Sequence, residues 1–211
     1  CCVGPLKLHT ETQFVSSQVL EDDAGRLEQL WANDFGNAYV ERNRDAGGGR
    51  GSFWASIIER YPIASALEVG CNMGANLRWL AEIISQESLA GVDVNQRALG
   101  ELKQTLPGVT THHAPARDLP FPDETFDLVF TMGVLIHQSP TSLPEVMDEI
   151  VRCTSRYVLC GEYFAENLVE VPYRGHRGAL YKMDFGKMYE CRFPQLSLLG
   201  GGRLSRAVGF D

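Results

Sequence analysis

Apolar positions along the chain follow two rhythms. From Glu21 to Asn43, Leu27, Leu30, Trp31 and Phe35 recur at spacings of three and four, which predicts a helix. The stretch DAGGGRG, residues 45–51, breaks it, and Ser52 to Tyr61 predicts a second helix with Phe53, Trp54, Ile57 and Ile58 on one side. An alternation then begins. Ala64–Val69 reads as a short apolar strand, Ala75–Ser85 as a helix, Leu89–Val94 as a strand, Gln96–Leu106 as a helix and Val109–His113 as a third strand. Phe126–Met132, FDLVFTM, is nearly all apolar, as a strand buried on both faces should be. Leu143–Cys153 predicts a helix and Tyr157–Gly161 a fifth strand. Strands alternating with helices predict an α/β fold, a doubly wound, mostly parallel sheet with helices on both faces. Residues 1–20 are polar and aperiodic and read as a flexible arm, and residues 21–61 as an N-terminal helical extension. Residues 62–211 form the core, with an irregular segment at about 163–184, a helix at Phe185–Cys191 and a strand at Leu196–Leu199.

A chain of 211 residues matches one domain with a full core. The net charge of −8 argues against a broad grip on nucleic acid, although Arg174, His176 and Arg177 make a local basic spot. No apolar run approaches the roughly 20 residues that span a bilayer. No secretory leader is visible, and the Cys1-Cys2 start suggests a processing boundary. The six cysteines form no CxxC pair and no zinc spacing, so free thiols in a reducing cytoplasm and no metal centre are expected.

The chemistry concentrates where strands end. Ligands of open α/β sheets sit beyond the carboxyl ends of the strands, at the switch point. Gly70, Cys71, Asn72, Met73, Gly74, Ala75 and Asn76 follow the first strand directly. A dinucleotide fingerprint would read GxGxxG, and here Asn72 stands where its second glycine would be. Glu68, two residues before the turn, would repel a pyrophosphate and suits a ligand with a positive amino group and no phosphate. Asp93, followed by Val94, ends the second strand, where an acid can accept hydrogen bonds from a ribose diol.

S-adenosylmethionine has a ribose, an ammonium and a sulfonium, and no phosphate. With LEVGCNMG, Asp93 and APARDLPFPDETFDLVF in this order, residues 64–163 resemble the class I methyltransferases, whose fold is Rossmann-like. The resemblance implies an enzyme that uses S-adenosylmethionine and leaves S-adenosylhomocysteine. It further implies that Pro115, Ala116 and Arg117 lie along the adenine, and that Thr131, Met132 and Gly133 lie under the methionine moiety. By the same resemblance the N-terminal helices close over the cofactor, with Tyr39 and Arg42 on one helical face and Arg42 holding a carboxylate. The flanking stretches LWANDFGNAYVERN, GVLIHQSP and VPYRGHRG are similar to the methylases associated with pseudaminic acid biosynthesis, which implies a bacterial surface-sugar context.

The acceptor side is read from residue chemistry. His137 follows the fourth strand, where a base could take a proton from a hydroxyl acceptor. Tyr163 is a second catalytic candidate. Glu162 could orient the acceptor, and Tyr173, Arg174 and His176 read as acceptor contacts, the arginine suited to carboxylate or phosphate. Trp31, Phe35 and Trp54 read as packing. The expected acceptor is a small polar molecule such as a sugar or nucleotide-sugar. Two other readings stay open: a methyltransferase of a peptide, protein or non-sugar natural product, and a non-catalytic module that binds the cofactor.

Overall fold

The computed structural model describes residues 17–204. Five strands form one parallel sheet: β1 (Ala66–Val69), β2 (Leu89–Asp93), β3 (Thr110–His113), β4 (Phe126–Met132) and β5 (Thr154–Gly161), in the order β3-β2-β1-β4-β5. The order reverses between β1 and β4, which are directly paired, Val69 opposite Thr131. Such a reversal leaves a crevice at the carboxyl ends of the two strands. All four residues of β1 are buried, because the strand is flanked on both sides and covered on both faces.

The two faces carry separate cores. Leu67, Val69, Val92 and Val129 pack on one face with α6 (Leu143–Arg152) and α7 (Phe185–Arg192). Ala66, Leu89, Leu128 and Phe130 pack on the other with α3 (Gly51–Arg60), α4 (Leu77–Leu80) and α5 (Gln96–Thr105). Helix α6 buries Leu143, Val146, Met147 and Ile150, the three–four spacing that an amphipathic helix requires. A short antiparallel hairpin, β6 (Val169–Glu170) with β7 (Tyr181–Lys182), spans the irregular segment after β5.

Four sequence expectations change. The single helix over 21–43 is two, α1 (Ser17–Ala32) and α2 (Asp34–Arg42). The chain breaks at Asn33, which leaves helical backbone angles, and the Trp31 carbonyl accepts from Asn95 Nδ2 at 3.0 Å. A distant side chain thus satisfies a helix-end carbonyl, which no local pattern announces. The expected arm is helical from Ser17 on, and its residues 1–16 lie outside the described residues. The regular part of the helix expected over 75–85 is confined to α4, with turns continuing to Ile84. Residues 196–199 form no strand: Leu198 and Leu199 are exposed, and an apolar run without a ladder partner cannot be one.

Candidate active site

The glycine turn leaves β1 in left-handed backbone, with φ of +71° at Gly70, +48° at Asn72 and +77° at Gly74. The Gly70 and Cys71 amides donate to the Val92 carbonyl at 2.7 and 3.0 Å, which pins the turn against β2. Asparagine tolerates the left-handed region better than other non-glycine residues because its short amide bonds locally. Here Asn72 Oδ1 accepts from the Met73 amide at 2.8 Å. The Asn72 amide itself donates to Asp93 Oδ2 at 2.8 Å. Asn72 therefore joins the turn to the acid at the end of β2.

Two acids face the cleft, Glu68 buried and Asp93 half-buried. Asp93 also accepts from the Asn95 amide at 2.8 Å. Burial raises its pKa, against the hydrogen bonds that favour the charged form. Glu68 Oε1 accepts from Asn76 Nδ2 at 2.6 Å, and Asn76 Oδ1 accepts from Arg50 Nη1 at 2.8 Å. Glu68 Oε2 is buried and has no hydrogen-bond partner. Burial pushes the Glu68 carboxyl up to about 8; the Asn76 hydrogen bond and the Arg50 charge pull it back, and the Asp93 charge adds to the rise. A buried carboxylate oxygen without a donor, in a cleft with a second, half-buried acid, fits a cationic group and opposes a phosphate.

Helices α1 and α2 form the opposite wall, with Leu27, Glu28, Trp31, Gly36 and Tyr39 lining the cleft. Glu28 pairs with Arg117 at 2.7 Å, and Arg44 of the segment after α2 pairs with Glu101 of α5 at 2.7 Å, so ion pairs tie this wall to the core. His137 is buried where it lines the cleft, and burial pushes its imidazole down to about 4 against the pull of the Ala179 carbonyl. Its Nδ1 is 2.6 Å from the Ala179 carbonyl. That carbonyl can only accept, so Nδ1 carries the proton and Nε2 is left as an acceptor. The ring centroid is 4.5 Å from that of Trp31 and 5.3 Å from that of Tyr173.

A family profile described as a methyltransferase domain matches residues 66–156, the span from β1 into β5. Over this span the chain is similar to a methyltransferase domain, and its sheet order is that of a Rossmann-like fold. S-adenosylmethionine is the cofactor of such a domain, and the two acids and the glycine turn fit its charge. An uncharacterized methyltransferase of a Synechocystis species is 31% identical over 108 residues, 50% of this chain and 50% of that protein. A phthiotriol/phenolphthiotriol dimycocerosates methyltransferase of Mycobacterium tuberculosis is 35% identical over 68 residues, 31% of this chain and 25% of that protein. The chain thus spans half or less of the length of these curated relatives. The 1,6-didemethyltoxoflavin N1-methyltransferase of Burkholderia thailandensis, at 13% identity, has the same fold, with a TM-score of 0.62 over 86% of this chain and 79% of that one.

The cleft gathers most of the predicted cofactor residues. Tyr39, Glu68, Gly70, Cys71, Asn72, Asp93, Val94, Ala116, Met132, Gly133 and His137 all line it. Gly74 instead supports the turn from behind: a Cβ there would come within 2.5 Å of Leu102 Cδ1. Asn76 acts through Glu68. Thr131 is buried in the sheet interior, and Pro115 and Arg117 flank the lining residues Ala114 and Ala116. Arg42 does not line the cleft; it is exposed, its guanidinium 5.9 Å from the Tyr39 ring centroid. The arginine that does line it is Arg50, from the glycine-rich loop that sequence reading took as a helix breaker. Tyr163 is 42% exposed and lies outside the lining, with Lys182 over its ring. Glu162 also lies outside it; its carboxylate accepts backbone amides of the loop after β4. Tyr173 and His176 join the aromatic group at the mouth, the His176 ring 5.0 Å from Phe35, whereas Arg174 is exposed. Trp31 belongs to this group and lines the cleft, while Trp54 packs on Phe130 in the core shared with α3, α4 and α5. The packing stripe is therefore two separate features. Asn95, also missed, lies two residues past Asp93, caps α5 and bonds the Trp31 carbonyl.

Gly70 offers a direct test of the cleft. A Cβ on it would sit 2.4 Å from Val134 Cγ2, in backbone that side chains rarely adopt. Strain of this kind costs about 1–3 kcal/mol. Gly70→Ala is expected to weaken S-adenosylhomocysteine binding by about tenfold or more in isothermal titration, and an unchanged affinity would remove the turn from the site.

Among the described residues there is no cluster of three or more metal-binding side chains, and no helix is long and apolar enough to cross a membrane.

Proposed function

We propose that the protein transfers a methyl group from S-adenosylmethionine to a small polar acceptor, a sugar or nucleotide-sugar of a bacterial surface glycan. The observation that carries the cofactor half is Glu68 Oε2, buried in the cleft without a donor. Glu68 holds the ammonium, Asp93 accepts from the ribose hydroxyls, and Arg50, linked to Glu68 through Asn76, answers the carboxylate. Gly70 and Gly133 let the backbone approach closely, since neither presents a Cβ. The cofactor supplies an electrophilic methyl on a sulfonium. The protein's part is positioning and exclusion of water. His137 Nε2 takes the proton that a hydroxyl acceptor loses, and the rings of Trp31, Tyr39 and Tyr173 shield that exchange from solvent.

The acceptor half draws on the similarity of the flanking stretches to the pseudaminic acid-associated methylases, and on a mouth whose aromatic rings can stack on a sugar. The same rings favour a second reading, a planar non-sugar acceptor, as in the Burkholderia thailandensis relative solved with 1,6-didemethyltoxoflavin. Incubation with methyl-labelled cofactor and separate panels of nucleotide-sugars, aromatic heterocycles and peptides tests this. Label on a nucleotide-sugar is the expected outcome. Label confined to heterocycles or peptides moves the acceptor class, and tight binding without transfer to any panel favours the non-catalytic module.

A further inference from the structure

His137 and Gly133 belong to one short loop, and the structure shows what braces it. The loop leaves β4 at Gly133, whose φ is +71° and whose amide donates to the Gly161 carbonyl at 2.8 Å. It turns at Val134, packs that side chain against Gly70, and ends in a 3-10 turn, Leu135–His137. From the far side Glu162, the first residue after β5, reaches under it. Glu162 Oε1 accepts from the Val134 amide at 3.1 Å and Oε2 from the Ile136 amide at 3.3 Å. One carboxylate thus holds the two amides that flank Leu135, a job that requires both oxygens to accept. The groups around it are Thr131 of β4, the Cys160 thiol of β5 and the Tyr189 phenol of α7, all neutral, the latter two with titrations pushed up by burial. Among the described residues no cation pairs with this acid, so its hydrogen-bond partners are the loop amides.

We infer that Glu162 is a positioning residue: its carboxylate sets the 133–137 loop, and through it presents the His137 imidazole to the cleft and seats Val134 against the glycine turn. Glu162 does not line the cleft, so it reaches the reaction only through the loop. Its consequence for turnover rests on the proposed role of His137; its hold on the loop does not. Burial pushes the Glu162 carboxyl up to about 7. Above that pH both oxygens accept; as pH falls through it, one oxygen gains a proton and loses an amide. The brace is therefore complete well above pH 7 and loses one of its two amide bonds well below it.

Amide and imidazole NMR on the full chain tests this without any acceptor. In the unaltered protein the Val134 and Ile136 amide protons should titrate together with a midpoint near 7. Glu162→Gln should abolish that titration and shift the His137 ring proton signal, and Glu162→Asp, which keeps the charge, should keep a titration. With the acceptor in hand, Glu162→Gln should lower kcat by roughly ten- to a hundredfold, the loss of one bond to a charged group, while cofactor affinity stays within about threefold. Val134 and Ile136 amides that ignore pH and ignore Glu162→Gln would overturn the brace. Amides that respond while the His137 ring signal does not would overturn its link to the base. Absence of transfer to every acceptor in the unaltered protein would count against the proposed activity and leave the NMR result standing.

Discussion

Replacing Glu68 with glutamine should stabilise the cofactor-free protein and cripple cofactor binding in the same variant. The reason is a buried acid whose carboxyl is pushed up to about 8. In the unfolded chain that acid ionises near 4.5, so between pH 4.5 and 8 the folded state keeps a proton that the unfolded state releases. Stability is lost as pH rises through this window, by about 3 kcal/mol at pH 7. Glutamine removes the titration and still accepts from Asn76 through its oxygen. The melting-temperature difference, variant minus unaltered protein, should grow steadily from pH 5 to pH 8. A difference that is flat with pH would show that Glu68 ionises normally in the empty cleft. On the binding side, glutamine cannot neutralise an ammonium. Affinity for S-adenosylhomocysteine should fall at least a hundredfold, the order of the 3 kcal/mol that breaking a buried charge pair costs. In the unaltered protein, affinity should rise from pH 6 toward pH 8, because the cation selects the ionised carboxylate. Equal affinity across that range would place the ammonium elsewhere.

His137→Ala is expected to lower kcat by about 10²–10⁴, the usual worth of a positioned base, with cofactor affinity changed no more than a few-fold. A loss carried by cofactor affinity instead would make His137 a wall of the cleft. The pH profile separates the histidine from its brace. Burial pushes His137 down to about 4, so its neutral, proton-accepting form persists throughout the physiological range. At saturating cofactor, which keeps Glu68 ionised, an acid limb of kcat near pH 7 should accordingly belong to Glu162 and disappear in Glu162→Gln. An acid limb that survives Glu162→Gln and disappears in a histidine variant with residual activity would reverse that assignment. The same depression gives the stability effect its sign: protonation of the unfolded chain below about 6.5 costs folded stability progressively down to about 4.

Much of the scaffold was legible because its signals are local. The run from Phe126 to Met132 is a strand with the predicted bounds, since seven nearly all apolar residues suit only a doubly covered ladder. Gly70, Asn72, Glu68 and Asp93 could be read as one site because a strand end fixes where each falls, and the switch point brings strand ends together. The acceptor side was less legible. Glu162 looked like an acceptor contact by its place after β5, yet its side chain bonds a loop 26 and 28 residues away in sequence. Tyr163, its neighbour, points out of the cleft, and Arg50 enters it from a loop whose glycines suggested only a break.

The sequence by itself determined the order of strands and helices, the positions of the two acids and the turn that admits a phosphate-free, cationic ligand. These follow from periodicity and from residue chemistry within a few positions, which any fold of this class preserves. Only the tertiary structure decided that Trp31 lines the cleft while Trp54 packs in a sheet-face core, that Arg50 rather than Arg42 reaches toward Glu68, and that His137 is held as a neutral imidazole. Each of those depends on contacts across two dozen residues or more: Asn95 Nδ2 on the Trp31 carbonyl, Arg50 Nη1 on Asn76 Oδ1, and His137 Nδ1 on the Ala179 carbonyl. A hydrogen bond of that span leaves no periodic trace in the chain, because only the packed sheet brings its two ends together.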